Sequence, residues 1–242
     1  MDMKSALLNT AAVLAVMLGV YFLLERLAGW RPRSADRRRL ALNAALTLAA
    51  FAVNLALFGA GLLQVQRLND SGFGLAQWLA MPLVASALIA LLALDLATWA
   101  LHWAMHKNPL LWSVHRLHHA DAFLDVTTTL RQHPAETLLR TAVTLGVGSL
   151  LGAPVAVIAA YRSLSVLNSI FEHANVRLPR RLDHLLAGVW VTPDMHKMHH
   201  SDIAAQTDSN YGNLLSLFDR GFGTYTCGSG AGAVVYGLRP AG

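Results

Sequence analysis

The sequence is short of the residues that soluble proteins display at their surfaces. Only 14% of its 242 residues are Asp, Glu, Lys or Arg, against about 25% in an ordinary soluble domain, and mean hydropathy is positive at +0.43. That deficit excludes a typical soluble globule and points to a membrane protein. Cysteine is nearly missing as well. A lone Cys227 can form neither an intramolecular disulfide nor a thiolate cluster, so any bound metal must rest on nitrogen and oxygen. A basic stripe interleaved with aromatics is also lacking, so the net charge of +5 gives no reason to expect a nucleic-acid partner. The charge instead marks a side of the membrane. Arg26, Arg31, Arg33, Arg37, Arg38 and Arg39 follow the first apolar segment, and most other Lys and Arg residues fall after Lys107, which assigns these regions to the cytoplasm by the positive-inside rule.

What is present is length in apolar runs. Ala6 to Leu27 is about the 20 residues needed to span a bilayer and too long for a signal-peptide core, so a retained first span is expected. Leu40 to Leu63 reads as a second span, "QVQRLNDSGFG" as a turn on the opposite side, and Trp78 to Leu101 as a third. A further apolar stretch, Thr137 to about Ile170, is broken at Gly152 to Pro154, where glycine and proline interrupt a helix. Two helices in a hairpin that enters and leaves from the cytoplasmic side are therefore expected. Arg140 and Arg162 within that hairpin are costly in lipid and are read as snorkelling or pairing near the interface. Asp95, late in the third span, is either a partner of the first histidine box or a helix–helix hydrogen bond.

Eleven histidines carry the chemistry. "HWAMH" sets His102 and His106 one helical turn apart, on one face. "HRLHH" supplies His115, His118 and His119, and "HKMHH" repeats the pattern with His196, His199 and His200. Neutral imidazole is the commonest side-chain metal ligand, and each box can offer at least two rings to one centre. His173 and His133 lie at the cytoplasmic ends of the hairpin, within reach of the same site, whereas His184 reads as a surface residue. Eight to ten imidazoles exceed what one ion accepts, so two metals are expected. Imidazole alone does not choose among iron, zinc, copper and nickel. Asp121, Asp125, Glu136, Glu172, Asp194 and Asp202 could accept ring N–H bonds around the boxes or simply solvate that face. The expected fold is an all-α integral membrane protein of about four transmembrane or hairpin helices, with a cytoplasmic histidine-rich helical cap holding a dimetal site.

These boxes, with "HRLHHADAFLDVTTTLRQHPAE", "FEHANVRLP", "VTPDMHKMHHS" and "NYGNLLSLFDRGFGTY" around them, resemble the bacterial branch of the fatty acid hydroxylase / sterol desaturase superfamily from about Leu94 to Tyr225. The resemblance implies a membrane-bound non-haem di-iron enzyme in which His102, His106, His115, His118, His119, His173, His196, His199 and His200 ligate two irons, with zinc as a possible substitute in purified protein. It implies O2 as co-substrate, a membrane lipid entering from the bilayer, and hydroxylation or desaturation at an unactivated C–H bond. The setting would be a bacterial inner membrane, with the active site on its cytoplasmic side. With no cytochrome-like or flavin domain visible, electrons are expected from a separate ferredoxin, cytochrome or reductase. The corresponding division is 1–77 for N-terminal membrane helices and loops, 78–225 for the catalytic domain and 226–242 for a Gly-rich tail. Some relatives carry one more histidine four residues before the position of His173; here that residue is Ser169, and His133 is the candidate replacement ligand. Two rival classes fit less well. A zinc-dependent membrane hydrolase usually places a glutamate base inside its motif, as in H-E-x-x-H, and a metal transporter or sensor would spread ligands along a transmembrane path.

Overall fold

The computed structural model describes residues 16–27, 29–32, 34, 36–129, 131–228 and 234–238; the first half of the expected Ala6–Leu27 span lies outside them. Residues 16–27 are helical and form α1. There follow α2 (Arg37–Asp70), the short α3 (Leu75–Trp78), α4 (Leu83–Lys107), α5 (Pro109–His119), a 3-10 turn at Val126–Thr128, α6 (Pro134–Leu151), α7 (Val155–His173), α8 (Arg180–Leu186), α9 (Pro193–His199), α10 (Ala204–Thr207) and α11 (Leu217–Gly221). Among the described residues the only β pairing is two isolated bridges. The all-α class is thus as the sequence implies.

Local chemistry sets the boundaries. Asp36 caps α2 by accepting from the backbone N–H of Arg38 and Arg39, and Asn108 caps α5 through Leu110 and Leu111. Proline at the first position of α5, α6 and α9 has no N–H to leave unsatisfied. The α6–α7 break falls at the expected glycine: Gly152 ends α6 in the left-handed conformation, φ 64°, which disfavours side chains, and Gln77 leaves no room beside it for a Cβ.

Among the described residues three helical stretches are long and apolar enough to cross a membrane: Arg37–Trp78, Leu83–Lys107 and Val155–His173. Only 6% of the apolar window in the first is buried within the protein, and Leu48, Leu55, Leu88 and Leu92 point outward, as suits helices solvated by lipid. The second expected span, Leu40 to Leu63, is too short. Helix α2 runs on to Asp70, because "QVQRLN" is polar yet made largely of good helix formers. The third starts later than Trp78, at Leu83 behind Pro82.

The two ends of the bundle differ sharply. At one end Asn69 donates to the carbonyl of Ala153 and Gln77 to that of Gly152, beneath a core built on Val65, Leu94, Ile158 and Tyr161. At the other, Arg39 bonds Asp121 at 2.6 Å and Asp125 at 2.9 Å. There too Glu25 accepts from the backbone N–H of Val126 and Asn175. The arginine-rich start of α2, the end of α1 and all three histidine boxes therefore share one end.

Candidate metal centre

Helix geometry delivers the histidines. His102 and His106 occupy the last turns of α4, the second box lies on α5, His173 closes α7, and α9 carries the third box with His200 at its C-cap. They converge as two groups: His102, His106, His115, His119 and His199 (group A), and His118, His173, His196 and His200 (group B). Within each group the ligand atoms lie within 4.8 Å of one another.

The boxes do not map one to each group. From α5, His115 and His119 serve A while His118, on the flank of that helix, serves B; from α9, His196 and His200 serve B while His199 crosses to A. Each H-x-x-H-H gives its i and i+4 rings to one centre and the ring between them to the other.

Proton positions follow from the partners. Nδ1 of His102, His173 and His199 lies 2.9, 2.7 and 2.7 Å from the carbonyl oxygens of Tyr211, Ser169 and Ser209. A carbonyl can only accept, so these Nδ1 atoms carry the proton and Nε2 presents a lone pair. His115 Nδ1 stands 3.0 Å from Glu136 Oε1, and His106 Nδ1 stands 3.5 Å from Asp208 Oδ1. In A, Nε2 of His115 then lies 3.1 Å from Nε2 of His102 and 3.2 Å from that of His119. In B, Nε2 of His173 lies 3.0 Å from that of His118 and 3.1 Å from that of His196. The lone pairs of His102 and His115, both set by their Nδ1 partners, repel at 3.1 Å unless a cation sits between them. A metal–imidazole bond of about 2.1 Å puts ligands at right angles roughly 3.0 Å apart, so both groups fit bound metal ions.

Electrostatics keeps the rings in ligand form. Burial, then the charge of neighbouring imidazoles, pushes His118, His119, His196 and His200 well below the usual histidine range; burial does the same for His199, helped first by His106. They stay neutral at pH 7. Glu136 is buried, which opposes its ionisation, but His115 and Arg140 prevail and hold its carboxyl far below the ordinary value. Arg140 contacts Glu136 at 2.9 Å.

His133 belongs to neither group. Its Nδ1 instead accepts from the N–H of Ala135, 3.1 Å away, capping α6 from an exposed position. The residue before a proline is extended, as expected, but that turns the ring onto its own helix. His184 is exposed. Of the acidic candidates, Glu136 reaches the histidines, Glu172 Oε1 stands 3.8 Å from both His173 and His196, Asp121 and Asp125 hold Arg39, and Asp194 holds Arg177 at 2.9 Å. Asp95 makes a structural link: it accepts from the N–H of Leu214 and Leu215 and from the Tyr161 hydroxyl. The sequence reading missed Asp208 and the carbonyls of Ser209 and Tyr211, all in "DSNY"; a backbone carbonyl has no residue-type signal.

Outward apolar helices ending in paired histidine clusters define a helical membrane protein with a two-part candidate metal site. The model for fatty acid hydroxylase matches residues 87–224, and the chain belongs to that family. Among curated proteins it is similar to an ornithine lipid hydroxylase of Rhizobium tropici, 30% identical over 149 residues, covering 62% of this chain and 43% of that protein. It is also similar to an alkylglycerol monooxygenase of Danio rerio, 28% identical over 62% of this chain and 32% of the relative. A methylsterol monooxygenase of Aspergillus fumigatus is 32% identical over 49% of this chain and 40% of its own. The chain thus aligns with less than half the length of each of these relatives. No solved structure matches it.

Proposed function

We propose that the chain is an O2-dependent di-iron lipid oxygenase that hydroxylates or desaturates a membrane lipid. The observation that carries this reading is the pair of imidazole groups whose Nε2 atoms converge at 3.0–3.2 Å. Nine imidazoles would hold two irons, which when bound supply the O2 chemistry needed at an unactivated C–H bond. The chain's own part is placement. Glu136 and the carbonyls of Tyr211, Ser169 and Ser209 fix ring orientation and tautomer. The buried cap keeps bulk water from the rings. An apolar groove of about 530 Å³ between α1 and α2, lined by Leu18, Phe22, Leu40 and Leu48 and ending at Val126 and Thr127, offers a lipid chain a route from the bilayer. Names of the matched relatives, each a lipid or sterol oxygenase, agree with this chemistry.

The catalytic unit is 78–225, in a bacterial inner membrane with the site on the cytoplasmic side. Arg39 beside the second box supports that orientation, since it ties the arginine-rich segment to the histidine end. Electrons come from a separate donor protein. The test is metal content and reductant-dependent O2 uptake of protein purified without chelator or nickel resin. Two irons per chain and uptake that disappears in His115→Ala or His199→Ala, with less metal bound, are expected. Protein reconstituted with iron that still takes up no O2 would refute the reading.

A further inference from the structure

A cavity of about 60 Å³ opens beside both histidine groups, touching His102, His118, His173 and His196. Its walls are unusual for a lipid enzyme. Among the described residues Val166 is the one large apolar side chain on them, whereas Asn54, Arg140, Arg162, Ser165, Ser169 and Asn213, with the carboxyl of Glu172, supply polar atoms. Arg162, Ser165, Ser169 and His173 recur every three or four residues along α7, so they form one stripe running from the metal groups into the bundle. A second, smaller cavity adjoins it and again has Arg140 and Arg162 on its wall.

The two arginines are not equally compensated. Arg140 is held by Glu136. Arg162 lies within a candidate membrane span, and among the described residues it has no carboxylate within the 4.0 Å of an ion pair. Its side chain donates to a neutral acceptor, Asn54 Oδ1, at 3.2 Å. The nearby acids are otherwise engaged: Asp95 by two backbone amides and the Tyr161 hydroxyl, and Glu172 by Asn168 beside the group B rings. A guanidinium at such depth is costly unless an anion or water meets it, which makes it a functional-site candidate by default.

We propose that this cavity receives the anionic part of the substrate, a carboxylate or a phosphate, with Arg162 as its main contact and Arg140 beside it. The proposal rests on the oxygenase reading and narrows its substrate class. From Arg162 to Ser169, next to group B, is seven residues, or roughly 10 Å of helix, so oxidation falls on a carbon about that far from the anion. The reacting carbon therefore belongs to the head-proximal part of an amphiphile. A carbon deep in a plain hydrocarbon tail would bring apolar surface against polar walls.

The test uses the full metal-loaded chain in nanodiscs of neutral phosphatidylcholine, titrated with octanoate, octyl phosphate and 1-O-octylglycerol while the thermal midpoint is followed. One or both anionic probes should half-saturate at about 10-fold lower concentration than the neutral one, as for a charged hydrogen bond gained in an interior; which anion wins distinguishes carboxylate from phosphate. Arg162→Gln, which keeps a donor toward Asn54, should bring the anions to parity with octylglycerol and leave metal content unchanged. Arg162→Lys should retain the preference, which keeps the test valid should the glutamine variant fold poorly. Equal binding of all three probes by the wild type, or a preference that survives in Arg162→Gln, overturns the proposal. A wild type without metal counts against the oxygenase reading instead, because the probe preference is measured separately.

Discussion

Five imidazoles close around group A and four around group B, although the boxes feeding them are copies of one pattern. The difference lies in the helices that add to those boxes. Helix α4 gives A two rings one turn apart, His102 and His106, whereas α7 gives B only His173; one turn before it stands Ser169. Group A is also the better braced, with ring partners at Tyr211, Ser209, Glu136 and Asp208, where B has the Ser169 carbonyl. Group B instead lies next to Glu172 and the polar cavity. If each group holds one ion, as proposed, A would leave fewer coordination positions open than B, and substrate chemistry is expected at B.

The comparison breaks most severely at a ligand of the poorer group. His196→Ala leaves B three rings, and elemental analysis should find that centre empty and turnover gone; losing even an outer partner costs about 10- to 100-fold in metal affinity, and a ligand costs more. His199→Ala leaves A four rings, as many as B has naturally, so A should still hold metal though more weakly. Next comes the bracing. Glu136→Gln should weaken metal binding about 10- to 100-fold, with chelator titration finding the loss in A alone. The asymmetry can also be erased. Ser169→His restores a ring one turn before His173 and should slow chelator extraction from B by about 10-fold; extraction unchanged would mean that the side chain at 169 does not face the centre. Smallest is His133→Ala, where metal stoichiometry should stay at the wild-type value and the loss of a helix cap should cost about 1 kcal/mol in denaturant unfolding. A missing ion in that variant would return His133 to the ligands.

Much of this centre is legible in the sequence because helical period and ligand chemistry are both local. The i, i+4 pairs, the break at Gly152 and the return of His173 to the end bearing His102 follow from spacing alone. What spacing does not contain is the relative rotation of α4, α5 and α9, and that rotation sends His118 to one group and His119, its neighbour, to the other. Nor does it contain the backbone carbonyls that set the tautomers. His133 shows how a residue type can mislead: the same proline that makes it extended also opens a helix, and the first free N–H of that helix takes the imidazole.

The crossing of His199 into the first group and His118 into the second has a consequence for biosynthesis. When Arg116 to His119 have left the ribosome, four of the five rings of A already exist, but B has only His118. Another 81 residues must be added after His119 to reach His200, about 4 to 16 s of translation. Group A is therefore equipped to take its ion on the nascent chain, and that ion would fix α4 against α5 before the hairpin is made. Group B must wait for α9, and the same helix then hands His199 to A, so the arrival of the last box completes both centres at once.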